Sequence, residues 1–432
     1  MRLTDGTKGL TIRRGVWYRV HKYLADLFIN RNYALFMGGS FVSATGSWFL
    51  SVAISWLVWE IGKSELLLGL ANFAQMGPLL VLGLVGGVVA DRVDRRHLMI
   101  VTQVLTTAVS AVLAVAEVID FASIPAILAL LLVLGVAQSF TWPTWSAFIA
   151  DLVGPERLRA AVALNSARFN LTRIVGPALA GVLLAEIGAG ACLIAAAVGQ
   201  ACLMVALWAI HSGPMAKAPR EPLLAAIREA VGLAWGTPSV RELLLVAGVI
   251  ATVVLPYVTF LPAFAQNVLQ VGPQGFGLML TAVGAGAICG ATISGTRLVA
   301  QHTRAAQGVL SIVTGAALVA FALATVPLVA AAALVVVGLG SIGYLATANA
   351  TVQLAVPREV VGRVMGLWVV VTAGTTPLGG IFLGALAERI GLGVTFAAAG
   401  ALCAVFSLAV ALRPVRPMAA PLPGGGRLSA PE

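Results

Sequence analysis

From Tyr33 to Leu412 the sequence passes through one apolar stretch after another, and many exceed the roughly 20 residues that cross the hydrocarbon of a bilayer. Backbone groups in hydrocarbon must bond internally, which leaves helices or a closed barrel. Barrel strands alternate apolar and polar side chains over about ten residues, whereas these runs are apolar on every face. The chain is 59% hydrophobic and 10% charged, far from the roughly 25% charge of soluble domains. The expectation is an all-α integral membrane protein with twelve spans, near residues 33–59, 66–90, 98–119, 125–150, 160–185, 191–210, 243–265, 275–300, 305–326, 328–352, 364–387 and 395–412.

A formal charge of +10 would fit a nucleic-acid partner on a soluble fold, but its placement excludes one. Of 27 Lys and Arg residues, 23 fall on one side of the expected membrane, only Lys63 and Arg389 fall on the other, and Arg168 and Arg173 lie inside the fifth span. The positive-inside rule makes the basic side, with both termini, cytoplasmic. The first 31 residues are basic and hold no apolar core ahead of a cleavage site, so the first span is expected to act as the insertion signal. Cys192, Cys202, Cys289 and Cys403 are isolated within spans, without the Cys/His spacing of a metal site. No phosphate-binding loop is present, and neither cofactor nor metal is expected.

The chain divides into an N-terminal cytoplasmic segment (1–32), a six-helix bundle (33–210), a central cytoplasmic loop (211–242), a second six-helix bundle (243–412) and a mobile tail (413–432). Val16, Val20, Leu24, Leu27 and Phe28 recur at the spacing of an amphipathic surface helix, and Leu223, Ile227, Val231 and Ala234 mark another in the central loop. The halves repeat at an offset of about 200 residues: segment 153–159 parallels 356–363, and Gly176-Pro177 with Gly181 parallels Pro377 with Gly379 and Gly380. Gly83xxxGly87, Gly286xxxGly290 and Gly380xxxGly384 have the spacing that brings membrane helices close together.

Between spans two and three lies Gly87-Val-Val-Ala-Asp91-Arg92-Val-Asp94-Arg95-Arg96. This stretch resembles motif A of the major facilitator superfamily, with Asp94 standing where that pattern carries its second Gly. Residues 91–98, 151–156 and 165–177 are similar to the branch of bacterial exporters that includes enterobactin and macrolide efflux proteins. Gly176-Pro177-Ala-Leu-Ala-Gly181 partly resembles the antiporter motif of span five, with Thr172 at the position of its upstream Gly. The resemblance implies two pseudo-symmetric bundles rocking about a midplane site. It also implies export of a small amphipathic organic molecule such as a drug or siderophore, and proton antiport across a bacterial cytoplasmic membrane.

The residues suggest how such a protein would work. Gly87, Asp91, Arg92, Arg95 and Arg96, with Asp151, form the candidate conformational gate, a latch holding the halves together on the cytoplasmic side when the cavity opens outward. An ionisable residue inside a span is costly and defaults to a functional reading. Arg168, near the start of its span, either snorkels to the interface or faces substrate. Arg173, a turn deeper, contacts an anionic substrate group, pairs with Asp151, or satisfies carbonyls freed by Pro177. Trp48, Gln75, Gln138, Trp142, Tyr257, Tyr344, Asn349 and Gln353 are further cavity candidates. No carboxylate sits convincingly at mid-depth, so Glu60 and Asp151 are the candidates for carrying a proton.

Every His lies near a span end, which argues against a membrane-embedded enzyme. Expected partners are a small-molecule substrate, membrane lipid and protons. Uptake, lysolipid flipping and a non-transporting receptor or scaffold remain alternatives, because fold alone does not fix function.

Overall fold

A computed structural model describes residues 30–90, 92–210, 231–232, 235–356 and 360–413. Asp91, Arg358, the surface helix expected over 16–28, most of the one over 223–234, and the tail beyond Arg413 lie outside the described residues. Among the described residues, twelve helices are long and apolar enough to cross a membrane. They are α1 (Arg31–Gly62), α2 (Glu65–Ala90), α3 (Arg95–Val118), α4 (Ile124–Gly154), α5 (Glu156–Glu186), α6 (Ala189–Ala209), α7 (Pro238–Asn267), α8 (Gly272–Ser294), α9 (Thr303–Ala322), α10 (Pro327–Ala355), α11 (Val361–Ile390) and α12 (Leu392–Ala411).

Each helix begins and ends for local reasons. The Asn30 side chain accepts from the Asn32 and Tyr33 amides and caps α1, while Asp94 caps α3 through the His97 amide. Proline occupies the first turn of α4, α7, α8 and α10, where its missing N–H costs nothing. Gly154 breaks the α4–α5 rod at φ 72° and ψ 172°, a conformation that a β-carbon would oppose.

The face carrying the α2–α3 and α4–α5 loops holds most of the basic residues and is called here the basic face; the other is the far face. Far-face connections are tight turns, closed at Lys63, Asp120 and Gln270 by positive φ. Two helices depart from regular geometry at matching depths. α7 carries a π turn at Ile250–Val254 followed by a 3-10 stretch at Leu255–Phe260, and α11 carries a π turn at Val370–Gly374. Pro256 and Pro262 account for the break in α7, since each removes a backbone donor.

The halves are built alike but packed differently. In the first, α1 and α6 close on each other at Gly46, where a β-carbon would lie 3.1 Å from the Ala196 carbonyl oxygen. A polar cluster of Ser43, Ser47, Gln103 and Gln200 links α1, α3 and α6. In the second, rings of Phe260, Phe264, Phe321 and Phe396 stack between 4.4 and 6.1 Å and fill the centre. Gly290 packs α8 against α10, and Gly384 packs α11 against α2. Among the described residues, Gly83 approaches only Leu79 of its own helix.

Candidate functional site

The two halves meet along α2–α11, α5–α8 and α1–α7, and the contacts gather toward the far face. A β-carbon on Gly69 would come 2.9 Å from the Gly380 carbonyl carbon, and one on Gly277 would come 2.6 Å from the Pro177 carbonyl oxygen. Only glycine permits these approaches, so the seam is shut by backbone rather than by side chains. Polar bonds complete it. Trp59 Nε1 donates to Gln266 Oε1 at 2.6 Å, Lys63 Nζ reaches the same oxygen at 3.5 Å, and Glu388 accepts from the Ser64 hydroxyl and the Leu66 amide. Trp56 stacks on Phe276 at 6.2 Å.

Followed toward the basic face, the same helix faces lose their partners. Phe169 and Ser166 on α5, Ala291 and Thr292 on α8, and Val370 on α11 are all exposed within a few turns of sealed positions. Trp142 on α4 is 54% exposed. It lies between the face touching α2 through Ser139 and the face touching α1 through Trp145 and Phe36. Gln75 on α2 and Gln138 on α4 are half-buried. On the opposite wall Gln353 is exposed and donates to Asn349 at 2.6 Å, while Asn349 reaches the Met365 sulfur on α11. Among the described residues, the seam is therefore sealed at the far face and parted toward the basic face.

Arg168 and Arg173 have different surroundings. The Arg168 guanidinium donates to the Ser40 carbonyl on α1 at 2.8 Å and to Asn165 at 3.1 and 3.3 Å, and it sits 5.0 Å over the Trp145 ring. It ties α1, α4 and α5 together. Arg173 stands at the seam, its carbonyl and Cγ against Gly284 of α8 and its charge within electrostatic reach of Tyr257. Trp48 lies over Gly176, the residue before Pro177. Tyr257 is 1% exposed and packs on Phe321. Tyr344, 2% exposed, donates to the Leu243 carbonyl inside the second half.

At the basic face, Arg95 pairs with Asp151 at 2.9 Å, and Arg96 donates to the Leu207 and Trp208 carbonyls at the end of α6. These bonds join α3 to α4 and α6 within the first half. Arg92 is exposed, and Gly87 lies on α2. Asp94 explains its own departure from the motif: an aspartate caps a helix where the glycine would only permit a turn. Burial pushes its carboxyl up, but the His97 amide and ring donate to it, and the net effect holds it below the ordinary value. Glu60 is exposed at the far face.

Sequence reasoning did not single out Ser64, Gln266, Glu388, Thr252 or Thr375. The last two hydrogen-bond at 2.7 Å and join the irregular segments of α7 and α11. Asn72 Oδ1 is buried against Gly380 with no hydrogen-bond partner among the described residues.

The model of a family described as transmembrane secretion effectors matches residues 27–423. The chain is 27% identical to the multidrug efflux pump Tap of Mycolicibacterium fortuitum over 84% of its length and 91% of that protein's. It is 26% identical to the enterobactin exporter EntS of Salmonella typhi over 76% and 77%. A 27% match to the staphyloferrin A transporter of Staphylococcus aureus spans 40% of this chain and 43% of that one. Among solved structures, an inward-facing, unoccupied bacterial homologue of the human lysosomal transporter Spinster superposes with a TM-score of 0.68 at 16% identity, over 90% of this chain and 97% of that one. A peptide transporter of the POT type superposes with a TM-score of 0.71 at 14% identity, over 88% and 93%. The chain belongs to the transmembrane secretion effector family and is a major facilitator transporter, not an enzyme.

Proposed function

We propose that the protein exports a small amphipathic organic molecule from the cytoplasm by alternating access, coupled to proton entry across a bacterial cytoplasmic membrane. The observation that carries this reading is the seam: sealed by Trp59–Gln266 and Ser64–Glu388 at the far face, parted at the basic face around Trp142, Phe169 and Gln353. With the basic face assigned to the cytoplasm by its 23 cationic residues, this is the state in which an exporter takes up its cargo. The likeness to a multidrug pump and an enterobactin exporter points the same way.

In this reading the segments 33–210 and 243–412 rock as units. Arg173 meets an anionic group of the substrate, with Trp48, Gln75, Gln138 and Trp142 supplying apolar and amide surface. When the far face opens, Asp91 and Arg92 latch the basic face, while the Arg95–Asp151 pair braces α3 against α4 within the first half. Glu60 and Asp151 are the candidate proton carriers, one near each end of the path.

The test is accumulation of labelled drugs and siderophores in efflux-deficient cells expressing the protein or its Asp91→Asn variant, with and without a protonophore. Lower accumulation, restored by the protonophore and by the substitution, is the expected result. Unchanged accumulation of every compound would contradict export.

A further inference from the structure

The two halves share a register that can be fixed by one arginine in each. Arg96, the second residue of α3, donates to carbonyls at the end of α6. Arg304, the second residue of α9, donates to the Arg413 carbonyl at the end of α12 at 3.0 Å. Seven residues further along, Gln103 in the first half therefore corresponds to Ser311 in the second. Gln103 meets Gln200 on α6, whereas Ser311 meets Cys403 on α12, whose Sγ donates to its carbonyl at 3.8 Å. Two interlocked glutamines are thus replaced by a serine and a cysteine.

The shorter side chains leave a cavity of about 230 Å³ between α7, α9, α10 and α12, opening toward the basic face. Its walls carry Glu242, Arg304, Gln307, Ser311, Thr351 and Ser407. Ser407 is 2% exposed, and its Oγ is buried with no hydrogen-bond partner among the described residues beyond a weak contact with the Cys403 thiol one turn back. An orphaned hydroxyl costs about 1–3 kcal/mol, and a polar ligand removes that cost. At the mouth, Glu242 and Arg304 stand 3.7 Å apart, too far for a strong hydrogen bond. A ligand of one sign would strip one of these charges of its counter-charge. A zwitterion inserted between them leaves both compensated, and the first turn of α9 adds a positive helix end for its anionic group.

We propose that this intrabundle cavity, separate from the seam between the halves, is a second binding site for a small zwitterion carrying a primary ammonium and a phosphate. The ammonium faces Glu242 and the phosphate faces Arg304 and the start of α9. A hydroxyl or ester oxygen reaches the Ser407 side chain within. The wall between α9 and α12 is closed, since a β-carbon on Gly315 would lie 2.6 Å from the Ala404 amide, so access is from the basic face. The same chemistry is carried by free ethanolamine phosphate and by the phosphatidylethanolamine head group. Because the cavity abuts the first turns of α7, an occupant would stiffen the helix that carries the Ile250–Phe260 irregularity.

The test uses the full chain purified in detergent, with ethanolamine phosphate as one probe, phosphatidylethanolamine nanodiscs as another and glycerol phosphate as the control lacking the ammonium. Saturating ethanolamine phosphate is expected to raise Tm by about 3 °C, with glycerol phosphate binding at least about tenfold more weakly. Ser311→Gln, which rebuilds the first half's filling, should keep or raise the ligand-free Tm and abolish the shift. Ser407→Ala, a smaller change that leaves the fold intact, should weaken binding about fivefold. A response only in the nanodiscs, with the same sensitivity to the two substitutions, assigns the site to lipid. No response to either probe, equal binding of glycerol phosphate, or binding unaffected by Ser311→Gln overturns the proposal.

Discussion

The Glu388 carboxylate, on α11 of the second half, accepts both the Ser64 hydroxyl and the Leu66 amide at the start of α2 in the first half. It is a helix cap supplied from across the seam, placing negative charge at a positive helix end. Such a cap exists only while the far face is closed, so it favours the conformation described here. Removing it in Glu388→Ala should shift the balance toward far-face opening by about 1–1.5 kcal/mol, roughly tenfold. Alkylation of a cysteine introduced at Gln266 reports that opening. An unchanged rate would show that the cap contributes nothing.

Arg168 is a charge inside a span whose Nε, Nη1 and Nη2 each donate to protein. Its planar fork reaches the Ser40 carbonyl and Asn165 at once, which a lysine cannot do. Arg168→Lys should therefore destabilise the first half by about 1–3 kcal/mol, read as a lower Tm in detergent. A loss of efflux at unchanged Tm would instead mark Arg168 as a substrate ligand.

Asn72 leaves a buried carbonyl oxygen unsatisfied at the α2–α11 seam. Asn72→Leu removes that cost of about 1–3 kcal/mol and holds the seam shut. The expected result is a higher Tm with turnover slowed several-fold. A lower Tm would mean that the amide has a partner in this state.

Asp94 caps α3 in place of the motif's glycine. Asp94→Ala should cost about 1 kcal/mol and Asp94→Gly only about 0.3 kcal/mol. Because the folded carboxyl is held below its ordinary value, its contribution is complete above about pH 4 and is lost as pH falls through the lower folded value. Thermal unfolding between pH 3 and pH 6 checks this: the parent should lose stability on acidification more steeply than Asp94→Asn.

What the sequence made legible follows the range of each signal. Twelve spans and the basic loop after α2 are local patterns, readable from consecutive residues, and the two-half repeat shows when segments about 200 residues apart are aligned. Gly380xxxGly384 and Gly286xxxGly290 were correctly read as close packing, whereas Gly83 of Gly83xxxGly87 meets only Leu79 of its own helix among the described residues. The Trp59 indole N–H closes on Gln266, 207 residues away. Glu388 and Ser64 are likewise joined across 324 residues. The Tyr344 hydroxyl donates to the Leu243 carbonyl, 101 residues away. Pairings of that range depend on how helices rotate about their axes, which hydropathy cannot reveal when every face is apolar. The Thr252–Thr375 bond depends on two π turns, whose presence composition does not announce.

The central claim, export by alternating closure of the two faces, is tested most directly by locking one of them. In a background with Cys192, Cys202, Cys289 and Cys403 replaced by alanine, Ser64→Cys and Glu388→Cys place two thiols where the far-face cap now sits. Efflux of a transported compound is then measured before oxidation, after it, and after reduction. The account predicts efflux that stops when the disulfide forms and returns when it is reduced; efflux continuing undiminished through a fully cross-linked far face would contradict it.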